Sequence, residues 1–189
     1  MEKTLVLIKP DGVYRALIGE VIKKFELAGL KIVALKMVKP SRDLVEKHYH
    51  ADKEWLENIG KKTKISYEKE GKTLNETPLE IGTRVQKNLI TYLTGKPVVA
   101  MVVEGNEAIF IVRKIIGSTE PKSADPGSIR GMFSSDSYFL SDSQGRSTRN
   151  IVHASGDKKD SEREISIWFS NSEIIDYKRA DEDAMFSEM

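Results

Sequence analysis

Short β-rich apolar runs and stretches of helical periodicity divide the chain into strands and amphipathic helices. Residues 4–9 (TLVLIK) form a β-rich run that stops at Pro10, whose missing amide hydrogen suits a strand end better than a strand centre. A turn at Asp11 and Gly12 follows. Leu17, Ile18, Val21, Ile22 and Phe25 then recur at helical spacing until Gly29, a residue suited to a left-handed cap. Residues 31–39 (KIVALKMVK) read as a second strand, and Ser41 as the cap of a helix running to His50. Residues 52–95 are mainly helical in pattern. Their sharpest signal is TPLE at 77–80, a capping box of Thr77 and Glu80 with Pro78 at the first helical position.

PVVAMVVE at 97–104 is almost continuously apolar, as in a strand buried on both faces, and Asn106 is placed to cap the helix EAIFIVRKII. Residues 117–149 are rich in Gly, Pro, Ser and Asp with little apolar periodicity, which predicts one or two long surface loops. NIVHAS supplies a fourth strand. Asp160 or Ser161 then caps a helix whose Ile165, Trp168 and Phe169 face inward. The order βαββαβ, with crossover helices after strands one and three, predicts an α+β fold: a ferredoxin-like antiparallel sheet with helices on one face. No repeat or linker divides residues 1–189, so one domain is expected.

Composition narrows the function classes. Hydrophobic residues at 39% and charged residues at 31% fit a globular chain, and no apolar run approaches the roughly 18 residues of a membrane span. The N-terminus MEKTLVLIKPDG lacks the apolar region and cleavage site of a secretory signal, so a cytoplasmic location is expected. With no cysteine, thiolate metal sites and Cys nucleophiles are out of reach. A formal charge of +1 gives no basic excess for a nucleic-acid backbone, and no nucleic-acid partner is expected. A small phosphorylated ligand needs only a few local cations.

Lys9, Arg113, Thr119, Arg130, Asn150, His153, Ser155 and Glu164 stand at strand ends or in the long loop. Each has a plainer reading: a solvated strand end, an exposed helix stripe, a loop charge, a histidine satisfied at the end of a buried strand. Together they suit a phosphate site, where Arg forks bind oxygens in pairs, Lys gives a point charge and Thr a hydroxyl donor. The loop GSTEPKSADPGSIRG has neither a GxGxxG nor a GxxxxGK pattern, so any nucleotide is held without a dinucleotide fingerprint or a Walker loop.

The order IKPDG (8–12), GSTEP, PGSIRG, NIVHAS and EREISIWF resembles the nucleoside diphosphate kinase family over nearly the whole chain, including the eleven-residue interval from His153 to Glu164. The resemblance implies ping-pong transfer of a terminal phosphate from a nucleoside triphosphate to a nucleoside diphosphate through phosphohistidine at His153. It implies that Glu164 fixes the imidazole tautomer with Ser155 behind it. Lys9, Arg113, Thr119 and Arg130 would surround the phosphate, and Asn150 with Lys9 would hold the sugar hydroxyl. Tyr49 in KHYH matches the family's tyrosine beside the catalytic lysine. Mg2+ would arrive on the nucleotide, and a homo-oligomer, hexamer or tetramer, is implied.

The chain departs from the compact family members in two additions, a helical one at about 52–95 and a loop at about 134–148. The family's Pro-Phe-Phe segment for the base is missing, and Trp55 is the nearest substitute, with helix core as its plainer role. Met132 and Gly156 stand where the family usually has acids. His48 and His50, two apart, fall on different sides of a helix and suggest no protein-held metal. The rival reading is a noncatalytic nucleotide-binding or regulatory relative, against which the complete phosphate set argues.

Overall fold

The computed structural model describes residues 1–50 and 52–186. In chain order they form β1 (Glu2–Ile8), α1 (Pro10–Tyr14), α2 (Ile18–Leu27), β2 (Lys31–Val38), α3 (Arg42–His48), α4 (Lys53–Lys69) and α5 (Pro78–Leu93). There follow β3 (Val98–Gly105), α6 (Ala108–Ile116), α7 (Ile129–Phe133), α8 (Tyr138–Ser143), β4 (Val152–Ala154), α9 (Lys158–Trp168) and α10 (Glu182–Phe186). The strands make one antiparallel sheet in the order β2-β3-β1-β4, the ferredoxin-like arrangement expected from the alternation of elements.

Side chains alternate across the central strands, and both faces are buried. Val6, Ile8, Val99, Met101 and Val103 pack with Val21 and Phe25 of α2 and Val112 and Ile116 of α6. Leu5, Leu7, Val98, Ala100 and Val102 pack on the other face with Val45, Leu93 and Trp168. The crossover helices therefore share one face as expected, and α3, α5 and α9 cover the second. A continuously apolar β3 is the consequence in sequence.

Several local expectations change. Asp11 and Gly12 lie in the short helix α1, because Pro10 fits its first turn. Asn106 does not cap α6: Glu107 occupies that position at φ 45°, and Glu2 Oε2 accepts from the Ile109 amide at 2.8 Å. Asp157, not Asp160 or Ser161, caps α9 and accepts from the Asp160 amide. The expected loop at 117–149 contains α7 and α8, capped by Ser128 and Ser137. By contrast the Ser41 cap and the Thr77–Glu80 capping box form as the sequence predicts.

Helices α4 and α5 run against each other with almost no space between backbones. A Cβ on Gly82 would lie 2.1 Å from the Leu56 carbonyl oxygen, and one on Gly60 would lie 1.9 Å from that of Pro78. Since main chain cannot yield as a side chain can, Gly82→Ala is expected to push the helices apart and cost about 1–3 kcal/mol. Urea unfolding measures it, and an unchanged midpoint would contradict this close packing.

Candidate active site

The site collects where β1 ends beside the start of β4. Leu7 pairs with His153, which sets the histidine beside the strand that delivers Lys9. Just before β4, Ile151 takes φ 67°, a conformation that a β-branched side chain adopts only under constraint. Its amide donates to Asp11 Oδ2 at 3.0 Å, its carbonyl accepts from the Lys9 amide at 2.7 Å, and its side chain is fully buried. Asp11 is fixed in turn by Tyr92, whose hydroxyl donates to Oδ1 at 2.6 Å and accepts from the Asp11 amide at 2.9 Å.

This kink turns Asn150 into the cleft. Lys9 Nζ donates to Asn150 Oδ1 at 2.7 Å, and Asn150 Nδ2 donates to the Thr119 carbonyl at 2.7 Å. Arg130 is buried and donates to the carbonyls of Gly117, Asn150 and Val152. Three of its N–H groups thus lock the loop to β4, and the guanidinium remains a fixed positive charge at the cleft wall. Burial, then Arg130, lowers the Lys9 pKa from 10.5 to about 7, with Asp11 opposing. An anion that enters beside Lys9 would draw it back toward the charged form.

Glu164 Oε2 lies 3.0 Å from His153 Nε2 and accepts from the Ser155 hydroxyl at 2.7 Å. Burial would raise the Glu164 pKa, but the His153 imidazole, by charge and by hydrogen bond, together with His48 and Ser155, outweighs it and holds the group at about 2. An ionised carboxylate only accepts, so Nε2 carries a proton, and in the neutral ring Nδ1 keeps the lone pair that a nucleophile needs.

Every residue singled out in the sequence for chemistry reaches this region. Lys9, Tyr49, Trp55, Arg113, Thr119, Arg130, Asn150, His153 and Glu164 line one cavity of about 710 Å³, with Ser155 behind Glu164. Trp55 is half-buried, lining the cavity and also packing against the sheet cluster, so its two readings coexist.

His48 is the residue that sequence reasoning passed over. It is buried while His50 is exposed, and its ring lies 4.6 Å from that of His153, centroid to centroid. Trp168 Nε1 donates to its Nδ1 at 3.3 Å, and burial, then His153, lowers its pKa, so it sits as a neutral ring. Among the described residues, the buried side-chain polar atoms without partners are Thr4 Oγ1, His48 Nε2 and Tyr49 Oη, and the last two belong to residues that line this cavity. Position next to Tyr49 at the inner end of α3 was the available signal.

His48, His153 and Glu164 also bring ligand atoms within 4.8 Å of one another, the donor types of a metal triad. Among their atoms, Glu164 Oε2 accepts from His153 and Ser155, and His48 Nδ1 accepts from Trp168. The hydrogen bonds make the trio an orienting network around the His153 ring.

The family model for nucleoside diphosphate kinase matches residues 2–64 and 79–174. A nucleoside diphosphate kinase of Pyrobaculum aerophilum is 46% identical, over 93% of this chain and 99% of its own. The crystal structure of an NDP kinase from the same organism superposes with a TM-score of 0.86 at 45% identity, covering 93% of this chain and 99% of that one. A transition-state mimic of the Borrelia burgdorferi nucleoside-diphosphate kinase, with bound vanadate and ADP, gives 0.83 at 41% identity, covering 98% and 97%.

Glu164 also links the site to acid stability. Its pKa is depressed from 4.5 to about 2, so the stabilisation is complete above pH 4.5 and is lost as pH falls toward 2. The wild type should lose up to about 3 kcal/mol more than Glu164→Gln over that window. Chemical denaturation at a series of pH values measures this, and parallel profiles would contradict the assignment.

Proposed function

Since the chain belongs to the nucleoside diphosphate kinase family, we propose that it moves the terminal phosphate of a nucleoside triphosphate, usually ATP, to a nucleoside diphosphate and so maintains triphosphate pools. The observation that carries this reading is the His153–Glu164–Ser155 relay, which leaves Nδ1 of the neutral ring unprotonated in the cavity that Lys9 and Arg130 also line. In the first half-reaction the Nδ1 lone pair bonds to the γ-phosphorus as the bond to the β-γ bridging oxygen breaks, and the diphosphate leaves with that electron pair. In the second, the β-phosphate oxygen of an incoming diphosphate attacks the phosphohistidine, and the N–P bonding pair returns to the imidazole.

Glu164 holds the Nε2 proton in place and balances the positive charge that grows on the ring in the first step and decays in the second. Lys9, Arg113, Thr119 and Arg130 meet the phosphate, where charge spreads over the equatorial oxygens. Asn150 and Lys9, bonded to each other, take the sugar hydroxyl, and the Tyr49 hydroxyl supplies a donor in the same wall. Glu164 is already accepting two hydrogen bonds, so magnesium fits as a nucleotide complex that keeps its own waters. When bound it supplies charge neutralisation at the phosphates.

We also place the helical addition at about 52–95 and the loop addition at about 134–148 within a single domain, and we expect a hexamer or tetramer in the cytoplasm. Among the described residues no helix is long and apolar enough to cross a membrane. A monomer mass by light scattering at micromolar concentration would remove the assembly from this reading.

Steady-state transfer from ATP to GDP should give the parallel reciprocal plots of a ping-pong mechanism, and His153→Ala should abolish it to background. Transfer by His153→Ala at wild-type rates would refute the nucleophile. If Trp55 stacks on the base, Trp55→Ala should raise KM through a loss of roughly 1–3 kcal/mol and leave kcat nearly unchanged. A fall in melting temperature with unchanged KM would instead make Trp55 a core residue.

A further inference from the structure

The helical hairpin and the loop between α6 and β4 meet away from His153, and the contacts converge on Glu120. This carboxylate is buried, accepts from the Ser66 hydroxyl of α4 at 2.7 Å through Oε2, and accepts from the Tyr138 amide at the start of α8 at 2.9 Å through Oε1. A second clamp joins the same segments, since Asp142 of α8 accepts from Tyr67 of α4 at 2.8 Å and from Arg84 of α5 at 2.6 Å. Helix α8 is therefore held near both of its ends.

Tyr138 occupies an unusual place. It lines the main cleft and also an adjoining cavity of about 470 Å³ between α4 and the loop, and both cavities share Arg113, Thr119 and Arg130. Its ring thus stands at the junction where the cations collect. We propose that Tyr138 is a further substrate-contacting residue, whose phenol hydroxyl donates to the phosphate end of the bound nucleotide. The inference rests on the nucleotide reading of the cleft.

Two observations support the donor role. Burial, then the nearby Glu120 carboxylate, pushes the phenol pKa up to about 12 against the pull of Arg130 and Thr119, so the proton is present throughout the neutral range. The Glu120 carboxylate, which lines the smaller cavity, has both oxygens taken up by the Tyr138 amide and the Ser66 hydroxyl.

Calorimetric titration of wild type and Tyr138→Phe with ADP and with AMP, magnesium present throughout, tests this. A hydrogen bond to a charged phosphate should make ADP binding about tenfold weaker in the variant while AMP changes by less than about twofold. Glu120→Gln, which keeps one acceptor and turns a donor toward the other partner, should weaken ADP selectively but less. Melting temperatures taken in parallel detect a structural effect. Unchanged ADP affinity, or an equal loss for ADP and AMP, would overturn the inference. Wild-type binding without phosphate transfer would sink the catalytic reading and leave this result standing.

Discussion

The left-handed backbone of Ile151 is the constraint on which the site depends. A β-branched residue at φ 67° costs on the order of 1–3 kcal/mol, and it persists because Asp11 and the Lys9 backbone hold both of its peptide groups. Gly12 belongs to the same clamp: a Cβ there would lie 3.0 Å from the Ile151 side chain and 3.3 Å from its carbonyl oxygen. The motif IKPDG is thus a mechanical part as well as a chemical one. Ile8 fills the core, Lys9 faces Asn150, Pro10 opens α1, Asp11 grips Ile151, and Gly12 allows the close approach.

From that kink the site assembles in two directions. Upstream, Asn150 connects Lys9 to the Thr119 carbonyl, and Arg130 seals the loop by spending donors on three backbone carbonyls. Downstream, the short β4 carries His153 beside β1, and α9 brings Glu164 to its ring. The positive charges and the nucleophile are consequently fixed by different hydrogen-bond sets that share one bend. Preorganisation of this kind is what phosphoryl transfer needs, since little other chemistry falls to the protein.

Much of this was legible in the sequence, for reasons that differ by element. The consecutive apolar residues of β1 and the unbroken run of β3 announce a sheet buried on both faces, and Thr77-Pro78-Glu80 marks a helix start because capping is a local interaction. The caps of α6 and α9 were misplaced by one to four residues because several polar residues in a row offer equivalent side chains. α7 and α8 were hidden because helices of five and six residues leave too little periodicity to read. His48 was missed for another reason: its role comes from Trp168 and His153, each more than a hundred residues away, and no local pattern carries that. Tyr138 is set by Glu120, 18 residues before it, which is bonded in turn to Ser66 of α4.

The central claim is that His153 Nδ1 carries the phosphate between nucleotides, and chemical trapping of the intermediate tests it most directly. Mixing the protein with terminally labelled ATP and magnesium, without an acceptor, should yield one labelled peptide that contains His153. The bond should be labile in acid and stable in alkali, as an N–P bond is, and the label should leave the protein on addition of GDP. Label that survives acid, or that maps to a serine or threonine, would contradict the account.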